Sequence, residues 1–213
     1  MNRSRNKIKI FCIGTGKTGT TSVEKALRDF GYKLGNQVEA ENLLDDYARR
    51  NFKAILKFCK SADAFQDAPF CFKYTYVALD QYFTNAKFIL TIRNSDEQWY
   101  NSLVNFHTKT VTDDDKLPSW EDLKSSEYRY KGYRAEVRKK VFGLSEEDDP
   151  YDATTLKEFY NAHNAAVIDY FRFKDNLLVI NVSENDAYLK LCKFLNRKPK
   201  YDSFPWENKT SEK

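Results

Sequence analysis

Residues 7–22 read KIKIFCIGTGKTGTTS, and no other segment says as much about the architecture. The first half is apolar and β-branched apart from two lysines, which is typical of a buried strand. Three glycines follow and predict a tight turn, because glycine adopts backbone conformations that other residues rarely reach. Amphipathic residues 21–30 then predict a helix that stops at Gly31. Strand, glycine-rich turn and helix in this order predict a phosphate-binding βα unit.

Strands and helices alternate along the rest of the chain. Two further buried strands are predicted, KFILTI at residues 87–92 and LLVINV at 177–182, with a short one at 62–65. Helices are predicted at 39–60 with a break near Asn51, 70–83, 96–107, 152–173 and 183–195, the last with a capping box of Ser183 and Asp186. This alternation predicts an α/β fold of three αβα layers around a mostly parallel sheet.

Residues 108–150 interrupt the alternation. They carry acidic runs at 113–115 and 146–149 and show only modest periodicity. A separate charged linker is one interpretation. Because predicted helices flank the segment closely, we expect instead a helical insertion that folds over the sheet edge as a lid, within a single domain spanning residues 1–213.

The composition limits the class of protein. Lys and Arg total 35 against 31 Asp and Glu, and a net charge of +4 suits an anionic ligand but is too weak to indicate nucleic acid. No apolar run is long enough for a membrane span, and the run at residues 8–13 is too short for a signal peptide. The four cysteines form no CxxC pair, which favours reduced core thiols and a cytoplasmic location.

The turn at residues 14–22 has the chemistry of an anion site. Backbone N–H groups at a helix N-terminus attract an anion, Lys17 adds a full charge, and Thr18, Thr20 and Thr21 add hydroxyl donors. A glycine-rich turn without a ligand is the alternative, but it has little use for a lysine and several threonines. The nucleotide P-loop pattern needs a glycine five residues before Gly16, where this chain has Phe11.

The segment Lys17-Thr18-Gly19-Thr20-Thr21 resembles the 5′-phosphosulfate loop of sulfotransferases, Lys-Ser/Thr-Gly-Thr-Thr. The resemblance implies a P-loop NTPase-like fold and 3′-phosphoadenosine 5′-phosphosulfate (PAPS) as the donor co-substrate, without a metal. It implies that the donor binds to Gly16, Lys17, Thr18, Gly19, Thr20 and Thr21. The expected reaction is in-line transfer of a sulfuryl group to a hydroxyl or amine of a small-molecule or glycan acceptor.

A second anion motif follows the strand at residues 87–92. Triphosphatases usually place a magnesium-binding Asp at such a strand end, whereas this chain has Arg93, which can bind a phosphate without a metal. The run RNSDEQWYNS at 93–102 resembles the 3′-phosphate motif of sulfotransferases. The usual family spacing puts its serine at position 101, which is Asn101 here. We therefore assign Ser102, with Asn101 as a substitute donor.

Four further segments resemble a mainly bacterial and viral branch of the same family. They are DAPF at 67–70, Trp99-Tyr100, YNAHN at 160–164 and FPWEN at 204–208. The resemblance therefore covers most of the chain, although the two anion motifs are the specific ones.

Sulfuryl transfer requires stabilisation of the leaving phosphate and often a base for the acceptor proton. Lys17 suits the leaving group. Asp67 lies in the chain region where sulfotransferases place a catalytic His or Glu; its alternative is a turn or N-cap aspartate. His107 is a second candidate base, but a solvated histidine at a helix end is the preferred interpretation. His163 is the third candidate base; because it lies on an apolar helix stripe, a core histidine is the preferred interpretation.

Several features keep alternatives open. Aromatic residues in 70–83 and Trp120, Tyr128, Tyr130 and Tyr133 could line an acceptor pocket, but core and insertion packing is the preferred interpretation for most of them. The basic tail at 198–209 could close over the donor or be solvated. For the whole chain, the alternatives to a sulfotransferase are a small-molecule or nucleotide kinase on a degenerate P-loop and an inactive anion-binding module.

Overall fold

The computed structural model describes residues 8–112 and 116–205. Its sheet has four parallel strands in the order β2-β1-β3-β4. The strands are β1 (Ile10–Cys12), β2 (Ala64–Gln66), β3 (Lys87–Thr91) and β4 (Leu177–Ile180). Each forms where an apolar stretch was identified in the sequence, and the predicted α/β fold with a parallel sheet is confirmed.

Ten α-helices and one π-helical segment lie within these described ranges. They are α1 (Thr20–Asp29), α2 (Gln37–Glu41), α3 (Leu44–Ala48), α4 (Phe52–Phe58), α5 (Thr75–Tyr82), α6 (Asp96–Val111), α7 (Trp120–Ser125), α8 (Tyr133–Val137), the π-helix (Arg138–Phe142), α9 (Ala153–Phe171) and α10 (Ala187–Leu195).

The side chains of each strand alternate between two cores, as the period of a β-strand requires. Ile10 and Cys12 of β1 pack into a core with the apolar faces of α1 and α10. Phe11 and Ile13 face the opposite side and enter a larger core with residues of α3, α4, α5 and α9. Two cores on opposite faces of one sheet give the three αβα layers.

Strand order determines where a ligand can bind. β1 pairs with β2 on one side and with β3 on the other, so the connections that follow these strands leave a crevice at their carboxyl ends. Gly14 lies there against β3, and a Cβ at this position would come within 2.1 Å of the Thr91 hydroxyl oxygen. Glycine is therefore required for the loop after β1 to meet the end of β3.

The structure corrects three helix boundaries. The predicted helix at 39–60 is divided into α2, α3 and α4, with the expected break at Asn51 and an additional one between α2 and α3. The helix predicted at 70–83 begins only at Thr75, because Tyr74 has a left-handed backbone and the preceding residues form turns. The one predicted at 96–107 continues to Val111, so His107 lies inside α6 rather than at its end.

The predicted capping box of Ser183 and Asp186 is wrong. The hydroxyl and the backbone N–H of Ser183 both donate to the Asn181 side-chain oxygen, at 2.8 and 3.1 Å. The last helix begins later, at Ala187, and its N-cap Asp186 makes no side-chain capping bond. Asn181 therefore organises the turn that the capping box was expected to organise.

The segment between α6 and α9 forms a small core of its own. Trp120, Leu123 and Tyr151 pack against Trp99 and Leu103 of α6. Helices are present as predicted, whereas residues 113–115 lie outside the described part. This packing attaches the insertion to α6, and Tyr133 and Val141 of the insertion also join the larger core over the sheet.

All four cysteines are free and buried, which confirms the prediction of reduced core thiols. Within residues 8–112 and 116–205, no helix has both the length and the apolar character that crossing a bilayer requires.

Candidate active site

One cavity of about 480 Å³ opens at the carboxyl edge of the sheet. Its walls come from the loop after β1, the ends of β2 and β3, one side of α6, and the insertion. The strand order therefore brings together motifs that are far apart in the sequence.

The carbonyl groups of the loop are held by the protein. The Thr18 hydroxyl donates to the Thr15 carbonyl at 2.6 Å, the Trp99 indole N–H to the Gly16 carbonyl at 2.9 Å, and Arg93 Nε to the Lys17 carbonyl at 2.7 Å. In this part of the chain no side chain caps the N-terminus of α1. The first amides of α1 are left for an anion, as in other helix N-terminal phosphate sites.

Lys17 occupies a left-handed backbone conformation, with φ of 72°. This is rare for a residue with a Cβ and is maintained only where the surroundings hold it. Its ammonium lies 3.7 Å from the centre of the Phe106 ring. Burial lowers the pKa of Lys17, assisted by Arg93 and opposed by Asp67. The ammonium is thus partly shielded from water, and its electrostatic interaction with a bound anion is stronger than it would be in bulk water.

The threonines of the loop divide into two groups. Thr20 and Thr21 line the cavity. Thr18 is buried, and its hydroxyl also lies 2.5 Å from the Thr91 hydroxyl, so this side chain fixes the loop and only its backbone remains for a ligand. Thr15, which the sequence analysis missed, lines the cavity with a hydroxyl that has no protein partner.

Arg93 follows β3 and lines the same cavity. Its backbone N–H donates to the Tyr160 hydroxyl at 2.9 Å, in addition to the bond from its side chain to Lys17. Ser102 lines the cavity as well. Asn101 is exposed, and its amide donates to Glu97 at 3.2 Å. The geometry therefore favours Ser102 over Asn101 as the partner of Arg93.

Asp67 combines a turn role with a place in the cavity. Its Oδ1 accepts the Ala68 N–H at 3.0 Å and faces the Cys71 thiol at 3.8 Å. Burial and the charge of Glu41 raise the pKa of Asp67 to about 6, against these hydrogen bonds and the attraction of Lys17. A carboxyl group with such a pKa can accept a proton near neutral pH.

The preferred interpretation of His107 as a solvated histidine at a helix end is wrong, because the residue lies inside α6 and its ring is partly buried. Its Nδ1 lies 3.1 Å from Arg138 Nη2 and 2.8 Å from the Tyr151 hydroxyl. Because arginine only donates, Nδ1 is the acceptor and the ring proton is on Nε2. Burial, Arg138 and further cations hold the pKa of His107 well below its usual range. A base needs a free lone pair, and this one is occupied by Arg138.

His163 is a core histidine, as predicted. Its Nε2 donates to the Ile13 carbonyl at 2.8 Å, and burial lowers its pKa to about 4. One turn earlier on α9, the Tyr160 ring stacks on Trp99 with centroids 4.8 Å apart. The two motifs at 99–100 and 160–164 thus stabilise the loop after β1 through hydrogen bonds to the Gly16 and Ile13 carbonyl groups.

The predicted aromatic residues have different roles. Tyr128 and Tyr133 line the cavity. Trp120 and Tyr130 serve insertion packing, with hydrogen bonds to the Asp148 carbonyl at 2.8 Å and to Glu136 at 2.9 Å. Phe72 is the cavity-lining member of the 70–83 segment, whose other aromatic residues do not reach it.

The described part of the C-terminal tail, residues 198–205, packs beside α1 and does not line the cavity. The Tyr201 hydroxyl donates to Asp29 at 2.9 Å, and Phe204 is buried against Tyr188. Residues 206–209 of the predicted basic tail, with most of the FPWEN motif, lie outside the described residues.

A family model described as Sulfotransferase domain matches residues 9–213. This chain belongs to the sulfotransferase domain family. A search of curated proteins found no match. In the described part of this sulfotransferase domain, no three His, Cys, Asp or Glu side chains come together as metal ligands would.

The sequence analysis of this sulfotransferase domain missed Arg138, which lines the cavity and is 1% exposed. Among the described residues, no carboxylate forms an ion pair with Lys17, Arg93 or Arg138. The only available signal was the position of an arginine on the buried side of a short helical segment. Lys17, Arg93 and Arg138 line one cavity without a carboxylate in ion-pair contact, which forms a site suited to anions.

Proposed function

We propose that this domain transfers a sulfuryl group from PAPS to a hydroxyl or amine of an acceptor, without a metal. One observation supports this most. Lys17 and Arg93 share one cavity, Arg93 Nε donates to the Lys17 carbonyl at 2.7 Å, and neither cation forms an ion pair with a described carboxylate. A donor with anionic groups at both ends of a nucleoside fits two such cations.

In this proposal, each anion motif binds a different anionic group of the donor. The 5′-phosphosulfate binds to Gly16, Lys17, Thr18, Gly19, Thr20 and Thr21, with Thr18 contributing its backbone only. The 3′-phosphate binds to Arg93 and Ser102. Support comes from the loop carbonyl groups, whose bonds to Trp99 and Arg93 leave the amides for the ligand.

The proposed chemistry needs only residues that line the cavity. The acceptor oxygen or nitrogen attacks the sulfur, and the bond from sulfur to the 5′-phosphate oxygen breaks. Lys17 stabilises the charge that develops on this leaving phosphate. Asp67 takes the acceptor proton, for which its raised pKa is suited. Positioning and fixed charges account for the catalysis, as in phosphoryl transfer.

Residues 108–150 are proposed to form the lid over the acceptor, within the single domain 1–213. Tyr128, Tyr133 and Arg138 of this segment line the same cavity as the loop after β1. A lid in this position would exclude water from the reacting groups.

Arg93→Ala is expected to discriminate between two nucleotides. Adenosine 3′,5′-bisphosphate (PAP) at 100 times its Kd should stabilise the wild-type protein by about 2.7 kcal/mol. Losing a charged hydrogen bond should weaken PAP about 10- to 100-fold in this variant, but adenosine 5′-phosphate far less. Because both ligands use the loop that Arg93 also supports, their ratio isolates the 3′-phosphate. Thermal shift and calorimetry measure both.

Arg197→Ala is the matched control, since Arg197 is exposed and donates to the Tyr32 hydroxyl at 3.2 Å. Equal weakening of both nucleotides in Arg93→Ala would contradict the 3′-phosphate assignment. Stabilisation by ATP with magnesium but not by PAP would support the kinase alternative instead.

A further inference from the structure

Arg138 lies in the insertion half of the cavity, with an unusual set of neighbours. Its Nη2 contacts His107 at 3.1 Å, and its guanidinium lies 4.6 Å from the Tyr151 ring centre and 5.1 Å from that of Phe142. The Nε atom is buried and has no protein partner. Aromatic rings, the Tyr151 hydroxyl and one imidazole therefore surround a full positive charge, and Asp149 attracts it without forming an ion pair.

Such an environment is costly for a cation. Arginine remains charged in proteins, and a buried charge without a counter-ion is strongly unfavourable. Contacts with aromatic faces recover only part of that cost. An anionic group of a ligand in the cavity that Arg138 lines would supply the missing counter-ion.

The proposed donor contacts do not use this cation. Its two anionic ends are assigned to the loop with Lys17 and to Arg93, whereas Arg138 belongs to the insertion. Arg134, one helical turn earlier, also lines the cavity and stacks 4.6 Å from the Tyr128 ring centre. The buried Glu41 also lines the cavity and attracts Arg134, but it is ion-paired with Arg129. Two arginines thus face the acceptor side without a described carboxylate of their own.

Much of the remaining wall of this half is aromatic. Four aromatic side chains line it: Phe72, Tyr133, Phe142 and Phe159. Flat rings of this kind pack well against another ring. We propose that the acceptor is a small aromatic molecule with an acidic group, a carboxylate or a phosphate, that binds Arg138 with support from Arg134. This inference rests on the proposed function, because it uses the acceptor side of the same cavity.

Four matched phenols test it with PAP-saturated protein. They share the hydroxyphenyl ring and differ in the tail: 3-(4-hydroxyphenyl)propionate, 2-(4-hydroxyphenyl)ethyl phosphate, 4-ethylphenol and tyramine. Calorimetry should give the acidic phenols a Kd at least about tenfold lower than the neutral one, the effect of one charged hydrogen bond. Tyramine should bind most weakly. The tighter of the two acids identifies the acidic group.

Variants locate the effect. Arg138→Gln should remove the preference for acidic over neutral phenols and leave PAP binding unchanged. Lys139→Gln is the control. Lys139 follows Arg138 in the chain, but its ammonium pairs with Glu146 on the surface. If Arg138→Gln does not fold, the wild-type comparison still tests the preference for an acidic acceptor, and Arg138→Lys then tests whether Arg138 is its source.

Two kinds of failure are distinguishable. Wild-type protein that does not bind PAP contradicts the proposed function. PAP binding combined with equal affinity for neutral and acidic phenols, or with no phenol binding, contradicts only the acidic acceptor. Loss of PAP affinity in Arg138→Gln would assign Arg138 to the donor and also overturn this inference.

Discussion

Lys17→Ala should lower kcat by at least about a hundredfold, the usual effect of losing one preorganised group that stabilises transition-state charge. The ammonium is partly buried beside the loop, and no described carboxylate pairs with it. Lys17 already has a left-handed backbone, so alanine adds no new strain to the loop. Steady-state turnover with PAPS and a phenol acceptor measures the effect.

Lys25→Ala is the matched control for this variant. Lys25 lies on α1, and its ammonium pairs with Asp29 at 3.0 Å on the surface, where ion pairs contribute little. It should retain turnover close to wild type. Near-wild-type turnover in Lys17→Ala would remove the loop lysine from the mechanism.

Asp67→Asn should also lower turnover by about a hundredfold, with donor affinity nearly unchanged. Asparagine can still accept the Ala68 N–H, so the turn is kept and only the base is lost. In the wild-type enzyme the pKa of Asp67, about 6, should appear as an acidic limb: kcat falls below this pH as the carboxylate is protonated. The variant should lack that limb. Retained turnover in Asp67→Asn with an inactive His107→Ala would give the role to His107.

The same substitution that lowers turnover should raise the free energy of unfolding. The folded-state pKa of Asp67, about 6, lies above the ordinary value of 3.8, so the folded protein binds more protons between these values. Stability therefore decreases as pH rises through this window and stays lower above it. At pH 7 to 8, the free energy of unfolding of Asp67→Asn should exceed that of the wild type by about 1–2 kcal/mol, which is less than the full free energy of a two-unit pKa shift. Urea unfolding at pH 4 and at pH 8 measures it, and the gain should vanish at the lower pH.

The sequence predicted those parts of the site that depend on local patterns. The loop around Lys17 follows from a strand, glycines and a helix in sequence, and Arg93 follows directly after a strand. Parallel topology then requires both to meet at one sheet edge. Asp67 was placed there by the same reasoning, and the structure brings it beside Lys17.

Features that depend on long-range packing could not be predicted. The burial of Arg138 depends on how the π-helix packs onto Tyr151 and His107, which no local pattern encodes. The Thr18 hydroxyl was expected to face the ligand, but its partner is Thr91, on a strand 73 residues later. Both outcomes are decided by tertiary contacts and not by residue type.

Sulfuryl transfer itself is tested most directly with radiolabelled PAPS. Wild-type protein is incubated with the labelled donor and, in separate reactions, phenols, acidic phenols, amines and sugars, and both products are separated. The account predicts that label appears on at least one acceptor, with one PAP released for each label transferred, and that Lys17→Ala loses this transfer. Label that stays on PAPS with every acceptor, or transfer that is equal in Lys17→Ala, would contradict it.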